Sequence, residues 1–313
     1  MENKICFEKE LSDLSKLLRM KQDALKKHMA NVLKDAGYAD MIDKDGFLYA
    51  KGDAPILFVA HLDTVHKSAP NVISFKDGVV SSKDGIGGDD RCGVYIIQNL
   101  LDKKPSVLFC ESEEVGGIGA NKFASTEYIK KLDVKYIVEF DRRGNKDAVF
   151  YNCDSPEFEK FIHETTGYVK NYGTFSDISV IAPRSGIAAV NLSSGYYNEH
   201  MTSETISIQD VLNSVEAGKK LIDASVKLDK PFKYVAKKFS YQPSYFSNGY
   251  YDRKSNYAPS DLNITVTVYY EDRETGEELF ADGEGKTKGD AWFNFFKENS
   301  NVCFNDIIDY EYE

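Results

Sequence analysis

The sequence predicts a three-layer αβα domain with a mixed, largely parallel central sheet, followed by a small C-terminal α+β appendage. Three observations carry this expectation. Short apolar runs of strand length alternate with helix-like segments through about residue 228. Those runs are continuous rather than alternating, as in strands covered on both faces. Beyond residue 228 the composition changes, first to a Tyr-, Ser- and Asn-rich stretch and then to an acidic one.

Taken in order, residues 8–36 read as helix in one or two pieces, with Gly37 as C-cap. MIDKDGFLYAKG alternates about an Asp-Gly turn, the pattern of a β-hairpin. ILFVAH, bounded by Pro55 and Asp63, reads as a buried strand. RCGVYIIQNLLDKK reads as helix, SVLFC as strand and NKFASTEYIKKL as helix. KYIVEF is the third strand, with AVFYN as a hairpin-like partner. Ser155-Pro156-Glu157 opens a helix, because proline suits a first helical turn. GIAAVNL is another buried-type strand, and residues 207–226 form a closing amphipathic helix. The expected organisation is a catalytic domain at 1–228, a linker or long loop at 229–260 and an acidic β-β-α unit at 261–313.

The formal charge of −11 disfavours nucleic acid or an anionic membrane as partner, since both require a basic surface. The acidity is concentrated: residues 261–313 hold 14 Asp and Glu against 4 Lys and Arg. No apolar run reaches the roughly 20 residues of a membrane span, and MENKICFEKELSDL has no apolar signal core. Five scattered cysteines fit reduced thiols in a cytoplasmic setting, and Cys92 and Cys110 lie in apolar, core-like contexts. No sequence signal fixes an oligomeric state.

In α/β sheets, ligands gather beyond the C-terminal strand ends. Here the residues after each apolar strand are chemically consistent: His61-Leu62-Asp63, Asp89-Asp90 after a glycine-rich turn, Glu113-Glu114, Asp141, and His200 across a short loop. Two histidines and three carboxylates suit zinc, cobalt or manganese. In His61-x-Asp63, the period of an extended chain lets Asp63 reach the far imidazole nitrogen and fix its tautomer. A metal pair needs a bridging carboxylate. Of the adjacent Glu113 and Glu114, one can bind metal while the other moves a proton.

The ordered set HLDTV, GIGGDDRCG, ESEEVGGIGA, EFDRRG and NEHMTSE, covering about residues 8–226, resembles the dinuclear zinc exopeptidase superfamily of aminopeptidases, peptidase T-like tripeptidases and acetylornithine deacetylase-like enzymes. The resemblance implies that Asp89 bridges two metals, one also held by His61 and Asp141, the other by Glu114 and His200. It implies Glu113 as general base and acid, with Asp63 orienting His61. Asp90 matches the second position of the family's Asp-Asp pair, where a strained, often cis, peptide is usual, which implies that it orients backbone or water rather than binding metal. Only 58 residues separate Asp141 from His200, too few for the lid domain that many members insert there.

Other residues carry weaker expectations. Ser176 and Asp177 are candidates for lining a substrate pocket. Arg142 and Arg143 are candidates for gripping a substrate carboxylate, or for neutralising the acidic rim. His28, His66 and His163 read as ordinary helix-surface or loop residues. The leading function is a two-metal aminopeptidase acting on short peptides. The alternatives are a deacylase of N-acyl amino acids on the same site, and a binding protein with a vestigial core.

Overall fold

The computed structural model describes residues 7–237, 264–271, 278–285, 295 and 307–312. The chain divides into two compact units, Met1–Ser240 and Tyr241–Glu313.

In the first unit the strands are β1 (Met41–Lys44), β2 (Phe47–Ala50), β3 (Ala54–His61), β4 (Ser74–Lys76), β5 (Val79–Ser81), β6 (Pro105–Cys110), β7 (Ile137–Arg142), β8 (Asp147–Val149), β9 (Val169–Asn171), β10 (Ala189–Ser193), β11 (Tyr196–Tyr197) and β12 (Thr205–Ser207). The helices are α1 (Glu8–Leu18), α2 (Gln22–Asp35), α3 (Gly88–Gln98), α4 (Ile118–Ala124), α5 (Pro156–Thr166), α6 (Asp177–Ser185) and α7 (Ile208–Ser225). Eight strands form the central sheet in the order β1-β2-β6-β3-β7-β10-β8-β9, and β11-β12-β5-β4 form a small second sheet. The four middle strands, β6, β3, β7 and β10, run parallel to one another. The mixed, largely parallel α/β architecture expected from the sequence is therefore present.

The sheet separates two apolar layers, and the strand period of two decides which residue joins which. Ile56, Phe58 and Ala60 of β3 pack with α1, α2, α3, α5 and α7, whereas Leu57 and Val59 pack with α4 and α6. β7 divides in the same way, with Val138 and Phe140 on the first side and Ile137 on the second. Local signals set the ends of the helices. Ser207 caps α7 by accepting from the Asp210 amide, and Gly167 ends α5 at a φ of 80°.

Four expectations are corrected. AVFYN does not form a hairpin with KYIVEF: β10 lies between β7 and β8, pairing parallel with one and antiparallel with the other. Sequence proximity suggested the hairpin, but the buried β10 takes the inner place. NKFASTEYIKKL is not one helix; α4 stops at Ala124 and a short 3-10 turn covers Glu127–Lys131. The interval between them is Ser125-Thr126, whose hydroxyls bond back to Asn121 and Phe123 carbonyls and so compete with continued helix. Residues 229–237, expected to open the linker, are stitched to the first unit. Phe232 exchanges backbone bonds with Lys135 and Ala188, and the Lys237 amide donates to the Asn152 carbonyl. Residues 238–260 lie outside the described residues.

In the second unit β13 (Ile264–Glu271) and β14 (Glu278–Gly285) form the expected antiparallel hairpin. The fourth correction is a third strand, β15 (Ile307–Tyr312), which pairs with β13. Its sequence, IIDYEY, hides strand periodicity behind acidic residues. The expected helix KGDAWFNFFKEN lies outside the described residues apart from Phe295, which is helical and buried. Among the described residues no helix is long and apolar enough to cross a membrane.

A close contact positions α3 beneath the rim. A Cβ on Gly93 would run into the Phe140 carbonyl and the Asp90 carboxylate, neither of which can swing away. On Gly218 it would meet the ends of two side chains, Leu100 and Phe140, and no backbone. Gly93→Ala is expected to destabilise the chain by about 1–3 kcal/mol in denaturant titration, and Gly218→Ala by less; equal effects would refute this account.

Candidate metal centre

Three adjacent parallel strands end level with one another. His61 of β3 pairs with Cys110 of β6, and Val59 pairs with Glu139 of β7 two residues earlier. His61 and Asp141 therefore leave the sheet side by side on the face that carries α4 and α6. The chain after β6 turns at Ser112, whose φ is 60°, and presents Glu113 and Glu114 directly beyond Cys110. The Asp89–Asp90 peptide is cis, and it opens α3 below them.

The sequence-predicted residues converge on Asp89. Its Oδ1 lies 3.0 Å from His61 Nε2, and its Oδ2 lies 3.3 Å from His200 Nε2. His61 Nε2 is also 3.5 Å from Asp141 Oδ1, and His200 Nε2 is 3.1 Å from Glu114 Oε2. His61 is 1% exposed at its side chain, whereas His200 is 53% exposed and enters from a loop with a φ of 63°. A positive φ in a residue other than glycine is uncommon and is held by its surroundings.

Asp63 connects the parts. Its Oδ1 is 3.2 Å from His61 Nδ1 and accepts the Glu113 amide at 2.9 Å, while Oδ2 accepts the Glu114 amide at 3.1 Å. Asp90 stays with the backbone, accepting from the His61 amide at 3.3 Å and the Gly93 amide at 2.9 Å.

The donor set fits a metal cation. His61, Asp89 and Glu114 bring ligand atoms within 4.8 Å of one another, as do His61, Asp90 and Asp141. Glu114 Oε1 is buried without a hydrogen-bond partner, which is costly for a carboxylate unless a cation is supplied. With no cation, burial and then neighbouring acids push Glu113, Glu114 and Asp141 up to about 7. Burial opposes the charged form of His61, but bonds to Asp141, Asp63 and Asp89 outweigh it and raise its pKa well above the ordinary value. Asp89 chiefly raises His200 to about 9.

The weaker candidates are distributed differently. Ser176 and Asp177 are fully buried. The Ser176 hydroxyl donates to Glu139, and both Asp177 oxygens lack a hydrogen-bond partner. Burial, then the charge of Glu113, pushes Asp177 up to about 7. Arg142 and Arg143 are not brought into the cluster. Arg142 Nε lies 3.4 Å from Asp147 Oδ2, and Arg143 Nη1 lies 2.7 Å from Glu199 Oε1.

Sequence reasoning missed three supports. Glu204 is buried and accepts from the Gly87 and Asp89 amides, each at 2.9 Å, so it holds the turn that carries Asp89. Its partner is His66, whose Nε2 lies 2.9 Å from Glu204 Oε2, so His66 is more than a loop residue. Asn191 brackets Asp141, with its Oδ1 accepting the Asp141 amide and its Nδ2 donating to the Asp141 carbonyl. Glu204 stood inside NEHMTSE and Asn191 inside AAVNL, but only the fold pairs them with their strands. Cys92 and Cys110 are packed core thiols, as expected.

These shifts make stability depend on pH. Carboxylates raised to about 7 are destabilising once pH exceeds their ordinary value of about 4.5. The imidazole of His200 contributes stability below 6.5 that is lost as pH rises through about 9. Both effects have one sign, so the melting temperature of chelator-treated protein is expected to fall from about pH 5 to pH 9. Restoring a divalent metal at pH 8 should recover it. A flat profile that metal does not move would contradict this electrostatic picture.

No protein-family model matches the chain, and no curated protein matches it in sequence. Solved structures do match. The aminopeptidase PepT from Bacillus cereus is similar with a TM-score of 0.59 at 16% identity, over 71% of this chain and 99% of that one. A tripeptidase from Staphylococcus aureus gives 0.58 at 14% identity, over 72% and 100%. An aminopeptidase from the archaeon Desulfurococcus kamchatkensis gives 0.53 at 16% identity, over 68% and 94%. The chain thus has the α/β fold of these aminopeptidases, in a compact form with no lid domain between Asp141 and His200.

Proposed function

We propose that this chain is a metal-dependent exopeptidase, an aminopeptidase that hydrolyses short peptides at a two-metal site. The observation that carries the proposal is the division of Asp89, one oxygen toward His61 and Asp141 and the other toward His200 and Glu114. Asp89 would thus hold two ions, one together with His61 and Asp141 and the other together with Glu114 and His200. Zinc suits such imidazole and carboxylate donors first, with cobalt or manganese next. Two such ions would polarise an amide carbonyl and make water acidic enough to attack at neutral pH.

The remaining work belongs to the chain. Asp63 holds the His61 ring in one tautomer, with Nε2 free toward the centre. Because Asp63 also fixes the Glu113 and Glu114 amides, it sets the two carboxylates relative to that ring. Glu113 takes a proton from the attacking water and passes it to the leaving amine. Asn191 and Tyr196 hold Asp141 in place.

The solved structures named above as aminopeptidases and a tripeptidase support short peptides as substrates. A deacylase would require a cation facing the acyl-amino acid carboxylate, and Arg142 and Arg143 are instead engaged by acids. A vestigial core is disfavoured because all five ligands and Glu113 are present. Buried free thiols at Cys92, Cys110 and Cys153 support the expected cytoplasmic setting.

Glu114→Ala is expected to lose bound metal, whereas Glu113→Ala keeps it and loses about 10²–10⁴ in kcat. Metal analysis beside aminoacyl, N-acyl and C-terminal amide substrates, after zinc, cobalt or manganese is restored, reads both. Full activity in Glu113→Ala, or no turnover with any metal, would sink the proposal. Asp63→Asn should weaken metal affinity by about 10–100-fold in a competition titration with a chromophoric chelator.

A further inference from the structure

Glu204 joins three segments that lie far apart in sequence. It is buried, at 1% exposure. Its Oε1 accepts the Asp89 amide at 2.9 Å, and its Oε2 accepts the Gly87 amide at 2.9 Å. His66 Nε2, from the loop after β3, lies 2.9 Å from the same Oε2. His66 is itself held. Its amide donates to Thr64 Oγ1 at 3.2 Å, and its ring occupies the space where a Cβ on Gly85 would stand. Glu204 and His200 both belong to the loop 198–204, which joins β11 to β12 in an antiparallel hairpin. That loop therefore reaches Asp89 twice: His200 Nε2 lies 3.3 Å from Asp89 Oδ2, and Glu204 holds the Asp89 amide. The glycine-rich turn sits directly on the hairpin, since a Cβ on Gly88 would stand 2.8 Å from side-chain atoms of both Tyr196 and Ile206.

We propose that Glu204, set by His66, is a positioning residue for one of the two metals, the ion between Glu114 and His200. This assignment rests on the two-metal reading above and adds an asymmetry to it: without Glu204 that ion is lost while the other is kept. The two halves of the centre are held differently. His61 and Asp141 stand at the ends of strands in the central sheet, His61 is 1% exposed, and Asp141 is held by Asn191 and Tyr196. None of these four bonds to Glu204. His200 is 53% exposed and has a φ of 63°, and the buried anchor of its loop is Glu204. A second tie of that loop, Glu199 to Arg143, involves an arginine that is 56% exposed and contributes little. With Glu204 removed, binding the ion at His200 would also have to order the loop, which costs conformational entropy. The chemistry of the position calls for a carboxyl group. One side chain must accept two backbone amides at once, and a glutamine would turn its NH2 toward one of them.

The test is a titration of metal-free protein with cobalt(II), followed by visible absorption and calorimetry, with melting curves confirming that each variant is folded. Wild-type protein is expected to bind two equivalents. Glu204→Gln and Glu204→Asp should each keep the first equivalent within about threefold and weaken the second by about 10–100-fold. The aspartate separates placement from charge, because it keeps the acid and shortens only its reach. A second equivalent of wild-type affinity in Glu204→Asp overturns the proposal, as does equal weakening of both equivalents in the two Glu204 variants. His66→Ala should also weaken the second equivalent. His66→Gln should restore it, because its amide can donate to Glu204 from the position of the imidazole Nε2. If the Glu204 variants do not fold, the His66 pair decides, and His66→Ala protein that binds both ions as wild type does overturns the assignment. Wild-type protein that binds fewer than two equivalents overturns this assignment and the two-metal reading together. Folded variants that keep two unaltered equivalents overturn the assignment alone.

Discussion

The carboxylate of Asp63 is the interaction on which the rest of the centre depends. It touches one imidazole and two backbone amides, and in doing so ties the end of β3 to the turn after β6. A buried carboxylate with three such partners is well compensated, and burial would otherwise neutralise it. Its charge persists because those partners donate, and its pKa lies below the ordinary value although burial pushes the other way. This tie places His61, Glu113 and Glu114 relative to one another, whereas Asp141 is held by Asn191 and Tyr196.

Around that tie the protein handles a surplus of negative charge with backbone donors. Glu204 accepts from the Gly87 and Asp89 amides and lies beside His66 Nε2. Asp90 is met by the His61 and Gly93 amides. Backbone amides are fixed by secondary structure, so they hold carboxylates without paying the rotamer entropy of long cationic side chains. The acids left without enough donors, Glu114 among them, are those at which a cation is most favourable. Glu111 shows the contrast. It lies close in sequence to the pair, yet it is satisfied by Lys26 at 2.8 Å and the Gly46 amide at 2.7 Å, and it serves only to fasten α2 and the first hairpin to the sheet.

Much of this was legible in the sequence, for a physical reason. Buried parallel strands leave continuous apolar runs, and the residues just beyond them are the rim, so His61, Glu113, Glu114 and Asp141 could be placed from the pattern alone. What pattern could not supply was anything dependent on pairing between distant strands. The insertion of β10 between β7 and β8 and the bracket of Asn191 on Asp141 both require knowing the strand order. The same holds for Arg91. In sequence it is an arginine after two aspartates, and only the packing of α1 and the loop after β3 turns it into the buried floor of a cavity. The addition of β15 to the C-terminal hairpin was hidden by its acidic side chains, because hydrophobic period reads burial and not hydrogen bonding.

The level ends of β3, β6 and β7 tie evolution of the chemistry to evolution of the core. The candidate ligands and the packing residues share one register: His61 lies on the same face as Leu57 and Val59, and Asp141 on the same face as Ile137. A one-residue insertion within any of these strands would send its ligand to the opposite layer while exchanging the apolar faces. Such a lineage loses fold and site together, so drift is channelled into the connecting loops. A chain of this fold can thus change far in its loops while the residues at its strand ends keep their places.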